Sequence, residues 1–137
     1  MAGPLKGIKI VELGQMIAVP GATYLLATQG AEIVKVENTT GGDDLRMYGS
    51  RKNGMSGWFA NANAGKRSIG INLMSEEGKE IFWRLLKNAD VFIQGFRPGA
   101  VDRLGFSYEQ VHNEFPELIY VSSSGFGSSG PYSDRPV

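Results

Sequence analysis

Short apolar runs ending in glycine or asparagine alternate along this chain with stretches whose apolar residues recur at helical spacing, which predicts strands alternating with helices. Ile8 and Ile10 to Leu13 read as a first strand. Gly14 to Val19 turns the chain, and Pro20 suits a first helical residue, where its missing N–H has no partner to lose. That helix is expected to run to about Gly30, with Leu25 and Leu26 facing the sheet and Gly30 as its left-handed terminator. Ile33 to Val36 is the second strand, and two strands joined through a helix favour a parallel pair. A Gly-, Asn- and Asp-rich stretch from Asn38 to Ala64 reads as a long loop, of the functional or mobile kind. Ile69 to Leu73 follows as a third strand. Ser75 caps a helix with Glu76 and Glu77 in its first turn and an apolar stripe of Ile81, Phe82, Leu85, Leu86 and Ala89. Val91 to Gln94 is the fourth strand. Ser107 to Gln110 fits a capping box for a short helix ending at Phe115, before Pro116. Leu118 to Val121 is the fifth strand, and Ser122 to Pro131 a Ser/Gly loop. The fold class is therefore α/β: an open parallel sheet with helices on both faces, where ligands collect outside the carboxyl ends of the strands.

Composition narrows what such a sheet serves. At 137 residues and 42% hydrophobic, the chain supports one domain with a core. The 14 basic and 14 acidic residues cancel, so no global field gathers nucleic acid or an anionic membrane, and an anionic ligand has to be held locally. The absence of cysteine excludes disulfides, thiolate catalysis and cysteine-bound zinc, and with His112 as the one histidine no metal site is expected. Met1 to Gly7 lacks the blocks of a signal peptide and no apolar stretch matches a bilayer, so a cytoplasmic location is expected.

The segment from Gly95 to Gly105 carries the most chemistry. It follows a buried strand, Pro98 suits the first turn of a helix and Gly105 its stop, so the reading is strand, tight turn, helix N-terminus. Arg97 and Arg103 then stand beside backbone N–H groups that favour an anion, a phosphate site in prospect; an ordinary connection with two solvated arginines is the alternative. Two commoner nucleotide motifs fit poorly. Gly14 to Val19 lacks the three-glycine spacing of a dinucleotide turn, although Glu37 stands where a ribose-binding acid would lie. Gly65-Lys66 resembles part of a phosphate loop, but Ala60 replaces its first glycine and Arg67 the Ser/Thr that ligates magnesium. His112 has no partner in sequence and reads as a solvated helix residue.

Pro4 to Leu13, Gly30 to Glu37, Gly65 to Ile69, Phe96 to Gly105, and Gly125-Phe126-Gly127 with Gly130-Pro131 together resemble the amino-terminal part of the family III CoA-transferases, in order and over essentially the whole chain. That family includes formyl-CoA transferase, the carnitine CoA-transferase and the α-methylacyl-CoA racemases. The resemblance implies that residues 1–137 form the amino-terminal part of a Rossmann-like, coenzyme A-binding large domain, with the second domain lying outside. It implies coenzyme A or acyl-CoA as substrate, a carboxylic acid as co-substrate, and an interlocked homodimer. By position, Arg97 and Arg103 contact the coenzyme phosphates, Phe96 and Ala100 pack near the adenine in a wall that includes Gly95, and Ala18 and Ile71 complete the pocket. Gln15 matches a position near the reacting acyl group, with a turn amide bonding local backbone as the alternative. Asn38 belongs to the nucleotide site but stands where several members carry arginine, and Met74 where lysine is common, so each subtracts a positive charge. Val19 replaces a glycine and is expected to narrow the approach to the acyl site.

The same resemblance puts the nucleophilic aspartate, which takes the acyl group as a mixed anhydride, beyond the position matching Val137. No catalytic residue is then expected within this chain, which is expected to be inactive alone; Asp134 matches no catalytic position. The histidine and aspartate of the racemase branch also fall past Val137. A racemase, and a non-catalytic coenzyme- or nucleotide-binding module, are therefore the alternatives. Ending in a loop directly after a strand, the chain reads as a piece of a longer protein, with exposed apolar edges that leave it poorly stable or dimerised.

Overall fold

Successive residues of a strand point to opposite faces of its sheet, and the apolar runs of this chain use that alternation to build two cores. Ile10, Ile33 and Ile93 pack on one side, while Val11, Val36 and Phe92 pack on the other. The computed structural model describes residues 3–133 and 135. Five strands, β1 (Lys9–Leu13), β2 (Glu32–Glu37), β5 (Arg67–Gly70), β6 (Val91–Gln94) and β7 (Ile119–Ser122), form a parallel sheet in the order β5-β2-β1-β6-β7. The chain builds outward from β1 in one direction and then returns to its other side, so the strand order reverses between β1 and β6.

Helix α1 (Ala18–Thr28) covers the first face through Val19, Leu26 and Ala27. Helices α3 (Glu76–Leu86), α4 (Ala100–Leu104) and α5 (Tyr108–Glu114) cover the second with Phe82, Leu86, Val101 and Val111. Edge-to-face stacking of Phe82 on Phe92 and Phe106 ties α3 to the sheet. The expected caps are present: the Ser75 hydroxyl accepts from the Gly78 N–H, and Ser107 with Gln110 closes a capping box. Gly30 and Gly105 adopt the left-handed backbone that ends α1 and α4.

Several elements differ from the sequence reading. Pro20 lies inside α1 rather than at its start, and Leu25 faces solvent at 59% exposure, because Val19, Pro20 and Thr23 set the buried stripe. The third strand ends at Gly70; the Ile71 N–H still bonds the Glu37 carbonyl, after which the chain turns at Asn72. On α3 Ile81 is exposed, and Trp83 joins the core instead by packing on Phe106 and Phe115. The stretch from Asn38 to Ala64 is structured: a 3-10 turn (Asp44–Met47), a hairpin of β3 (Arg51–Lys52) and β4 (Met55–Ser56), and helix α2 (Gly57–Ala62) surround a small core of Leu45, Phe59 and Ala62. Pro98 precedes α4, whose N-cap is Gly99 with φ 75°.

Candidate functional site

At the carboxyl ends of the strands, the turns after β1, β2 and β5 surround a recess that Phe96 and Leu104, beyond β6, help to close. Its volume is about 410 Å³. Its floor is apolar, from Leu13, Val36 and Ile71; Phe96 and Leu104 close one side, and Met74 and the loop from Asn38 to Asp43 close the other. Gln15, Asn38, Ile71 and Phe96, singled out in the sequence, meet here. Asn38 shapes the loop: its Oδ1 accepts from the Thr40 and Gly42 N–H groups, and its Nδ2 donates to the Gly42 carbonyl. Val19 is buried against Gly14 and Gly95, where a Cβ on either glycine would come within 2.6 and 2.7 Å of its side chain. The two glycines absorb the extra bulk at position 19.

No lysine or arginine lines this cavity, and its two carboxylates are both buried and engaged. Glu37 receives four donors: Arg46 Nε and Nη2 at 2.7 Å each, the Ser68 hydroxyl, and the Asp43 N–H at 2.8 Å. Burial pushes the Glu37 carboxyl up, but the hydrogen bonds from Arg46, Ser68 and Asp43 outweigh it and hold the pKa at about 2. Its acceptor sites are thereby filled, which leaves none for a ribose. Behind the cavity wall lies a second group of charges. Lys35 Nζ stands 2.8 Å from both Glu12 Oε1 and Asp43 Oδ2, and Lys66 Nζ is 2.8 Å from Glu12 Oε2. Lys66 also donates to the Pro20 carbonyl and Asn63 Oδ1, so it is consumed in the interior rather than offered to a phosphate. Burial pushes its ammonium down, against the pull of Glu12.

Arg97 lies just beyond Phe96, in a smaller cleft with Gly95, Pro98 and Arg135. Phe96 lines both spaces. Arg103 sits in the last turn of α4, and its Nη1 folds back to within 3.2 Å of where a Gly99 Cβ would lie, at the same junction as Arg97. Both guanidinium groups are exposed. Ala100 begins α4, and Ala18, exposed, begins α1; neither lines the cavity. His112 is exposed on α5 and stacks on Tyr108. Among the described residues no group of acids and histidines is placed to hold a metal ion, and no helix is long and apolar enough to cross a membrane. Asp134 lies outside the described residues.

The family model described as CoA-transferase family III matches residues 5–137. The chain belongs to that family. Among its relatives are the acetyl-CoA:oxalate CoA-transferase of Acetobacter aceti, 42% identical over 98% of this chain and 35% of the relative, and the succinate–glutarate CoA-transferase of Agrobacterium fabrum, 40% identical over 96% and 34%. A crystal structure of a CAIB/BAIF family protein from Brucella suis superposes with a TM-score of 0.92 at 40% identity, covering 98% of this chain and 37% of that one. The chain thus spans about a third of the length of the relatives it matches. Within the family fold, sequence reasoning missed the interior charges of Glu12, Lys35 and Asp43, and it did not assign Thr39, Thr40 and Gly42, in the stretch read as a functional or mobile loop, to the cavity. A signal for the first two was present, since each is a charge inside an otherwise apolar strand.

Proposed function

We propose that this chain is the coenzyme-binding part of an enzyme that transfers coenzyme A between carboxylic acids. The observation that carries the reading is a cation-free, largely apolar cavity next to a β6–α4 junction that bears two exposed arginines, with Phe96 lining both the cavity and the cleft of Arg97. A nucleotide needs both: a recess for a flat ring with polar edges, and charge-assisted donors outside it for phosphate oxygens. In this reading Phe96, Ile71 and Asn38 contact the adenosine with Ala100 and Gly95 in the same wall and Ala18 completing the pocket, Arg97 and Arg103 hold phosphates, and Gln15 lies toward the acyl end. Relatives that act on acetyl-CoA or transfer CoA to oxalate and glutarate support the substrate class, an acyl-CoA with a small carboxylic acid.

The reading gives this chain binding rather than bond-making. Transfer through an aspartyl mixed anhydride requires a free carboxylate at the thioester, and Glu37 and Asp43, the carboxylates lining the cavity, are both buried and committed to partners. The chain by itself is therefore proposed to bind coenzyme without turning it over. A homodimer and a cytoplasmic setting belong to the same proposal.

The test is titration calorimetry of coenzyme A into the chain. Arg97→Ala and Arg103→Ala are each expected to weaken binding about tenfold or more, the loss of one charge-assisted contact. Unchanged affinity in both would remove the arginines from the site and the reading with them.

A further inference from the structure

The turn between β1 and α1 holds Gln15 next to a strained residue. Met16 has φ 60°, a left-handed backbone that L side chains rarely adopt and that persists where its surroundings over-determine it. Three contacts do so. Lys35 Nζ donates to the Gly14 carbonyl at 2.7 Å, on one side of Gln15. The Met16 N–H, on the other side, donates to Asp43 Oδ1 at 3.0 Å. The Met16 side chain packs against the Leu45, Phe59 and Ala62 core. Lys35 and Asp43 are buried and stand 2.8 Å apart, so one ion pair grips the peptide units on both sides of a single residue.

That residue lines the cavity, and among the described residues its carboxamide makes no hydrogen bond. Stability alone does not explain the arrangement, since apolar residues of similar volume often replace a buried ion pair without loss. Holding a carbonyl and an N–H at once takes a donor and an acceptor, and the Lys35–Asp43 pair supplies one of each. We infer that Lys35 and Asp43 are positioning residues that present the Gln15 carboxamide to the acyl end of the bound substrate, where its N–H donates to a thioester or carboxylate oxygen. The inference rests on the coenzyme reading above and adds to it the purpose of the structured excursion from Asn38 to Ala64, which supplies Asp43 and the Met16 pocket.

The experiment uses the 137-residue chain, with amide hydrogen exchange at Met16 and NMR of the Gln15 side-chain amide, free and with acetyl-CoA. In the wild type the Met16 amide is expected to be protected, and the Gln15 amide to be ordered before ligand is added and to shift with acetyl-CoA. Asp43→Ala is expected to lower Met16 protection about tenfold or more, to mobilise Gln15, and to weaken acetyl-CoA binding more than coenzyme A binding. Asp43→Asn, which keeps an oxygen for the Met16 N–H, is expected to recover much of each effect. A freely exchanging Met16 amide or a mobile Gln15 amide in the wild type overturns the clamp without any variant having to fold. An Asp43→Ala chain whose Gln15 responds as in the wild type overturns it too. A wild type with an ordered Gln15 that binds neither coenzyme A nor acetyl-CoA overturns the coenzyme reading instead, and with it the acyl-presenting role.

Discussion

Glu12 and Lys35 each interrupt an apolar strand, and the parallel register sets them opposite each other. A charge in such a run is costly to bury unless paired, so two opposite charges in neighbouring strands signal an internal ion pair. The partners that complete it, Asp43 and Lys66, arrive from the excursion after β2 and the turn before β5. Their arrival depends on how the excursion packs, which no local pattern encodes. Glu37 shows the same limit: its position at a strand end suggested a ribose ligand, whereas Arg46, nine residues later, returns to saturate it. This has a consequence in pH. The carboxyl titrates at about 2 when folded against an ordinary value of 4.5, so its contribution to stability is complete above about pH 4.5 and is lost as pH falls toward 2. The urea midpoint is expected to fall through that window, and Glu37→Gln to flatten the slope while lowering stability at neutral pH. An unchanged slope in the variant would mean that other carboxylates carry the acid transition.

Elements with strong local signals were legible: the runs read to end at Leu13, Val36 and Gln94, the second of which extends one residue further to Glu37, the Ser75 and Ser107 caps, and the Gly105 stop. Elements whose form depends on long-range packing were not. Helix α1 carries apolar residues almost all round, so its sequence does not say which face turns inward, and the contacts of Val19 with Gly14 and Gly95 decide it. The excursion lacks any long periodic run because its hairpin has two-residue strands and its helix six residues, held by the Leu45, Phe59 and Ala62 core. Helix α3 adds a constraint at its first turn. Gly78 is buried there, and a Cβ at that position would lie 1.9 Å from the Asn72 carbonyl oxygen. In an open helix, glycine to alanine stabilises by about 1 kcal/mol. Here Gly78→Ala is expected to destabilise by about 1–3 kcal/mol, because helix and carbonyl must separate. Asn72 lines the cavity proposed to hold the coenzyme, so on that reading coenzyme A binding is expected to weaken as well. Urea unfolding with calorimetry checks both, and a stabilised variant would show that α3 moves freely against the turn.

On the scale of the molecule, the two outer strands of the sheet differ. Strand β5 carries Arg67 on its flank, within 3.6 Å of Glu32, and exposes Ser68 and Gly70. Charge at an edge discourages pairing with another sheet. Strand β7 bonds β6 along its inner side, and its outer side has no strand beside it among the described residues. It presents Ile119 at 61% exposure, followed by the half-buried Tyr120 and Val121. Apolar side chains beside unpaired backbone donors and acceptors make a template for a further strand. With 14 basic and 14 acidic residues in balance, net repulsion does not keep copies apart. The chain is therefore expected to associate with concentration in sedimentation velocity. Ile119→Lys places a charge on that edge without touching the cavity, and is expected to shift the distribution toward monomer while coenzyme affinity stays unchanged. A wild type that sediments as monomer throughout would remove the association, and a lysine variant that associates equally well would move the contact to another surface, such as the exposed Met47, Tyr48, Met55 and Trp58 of the excursion.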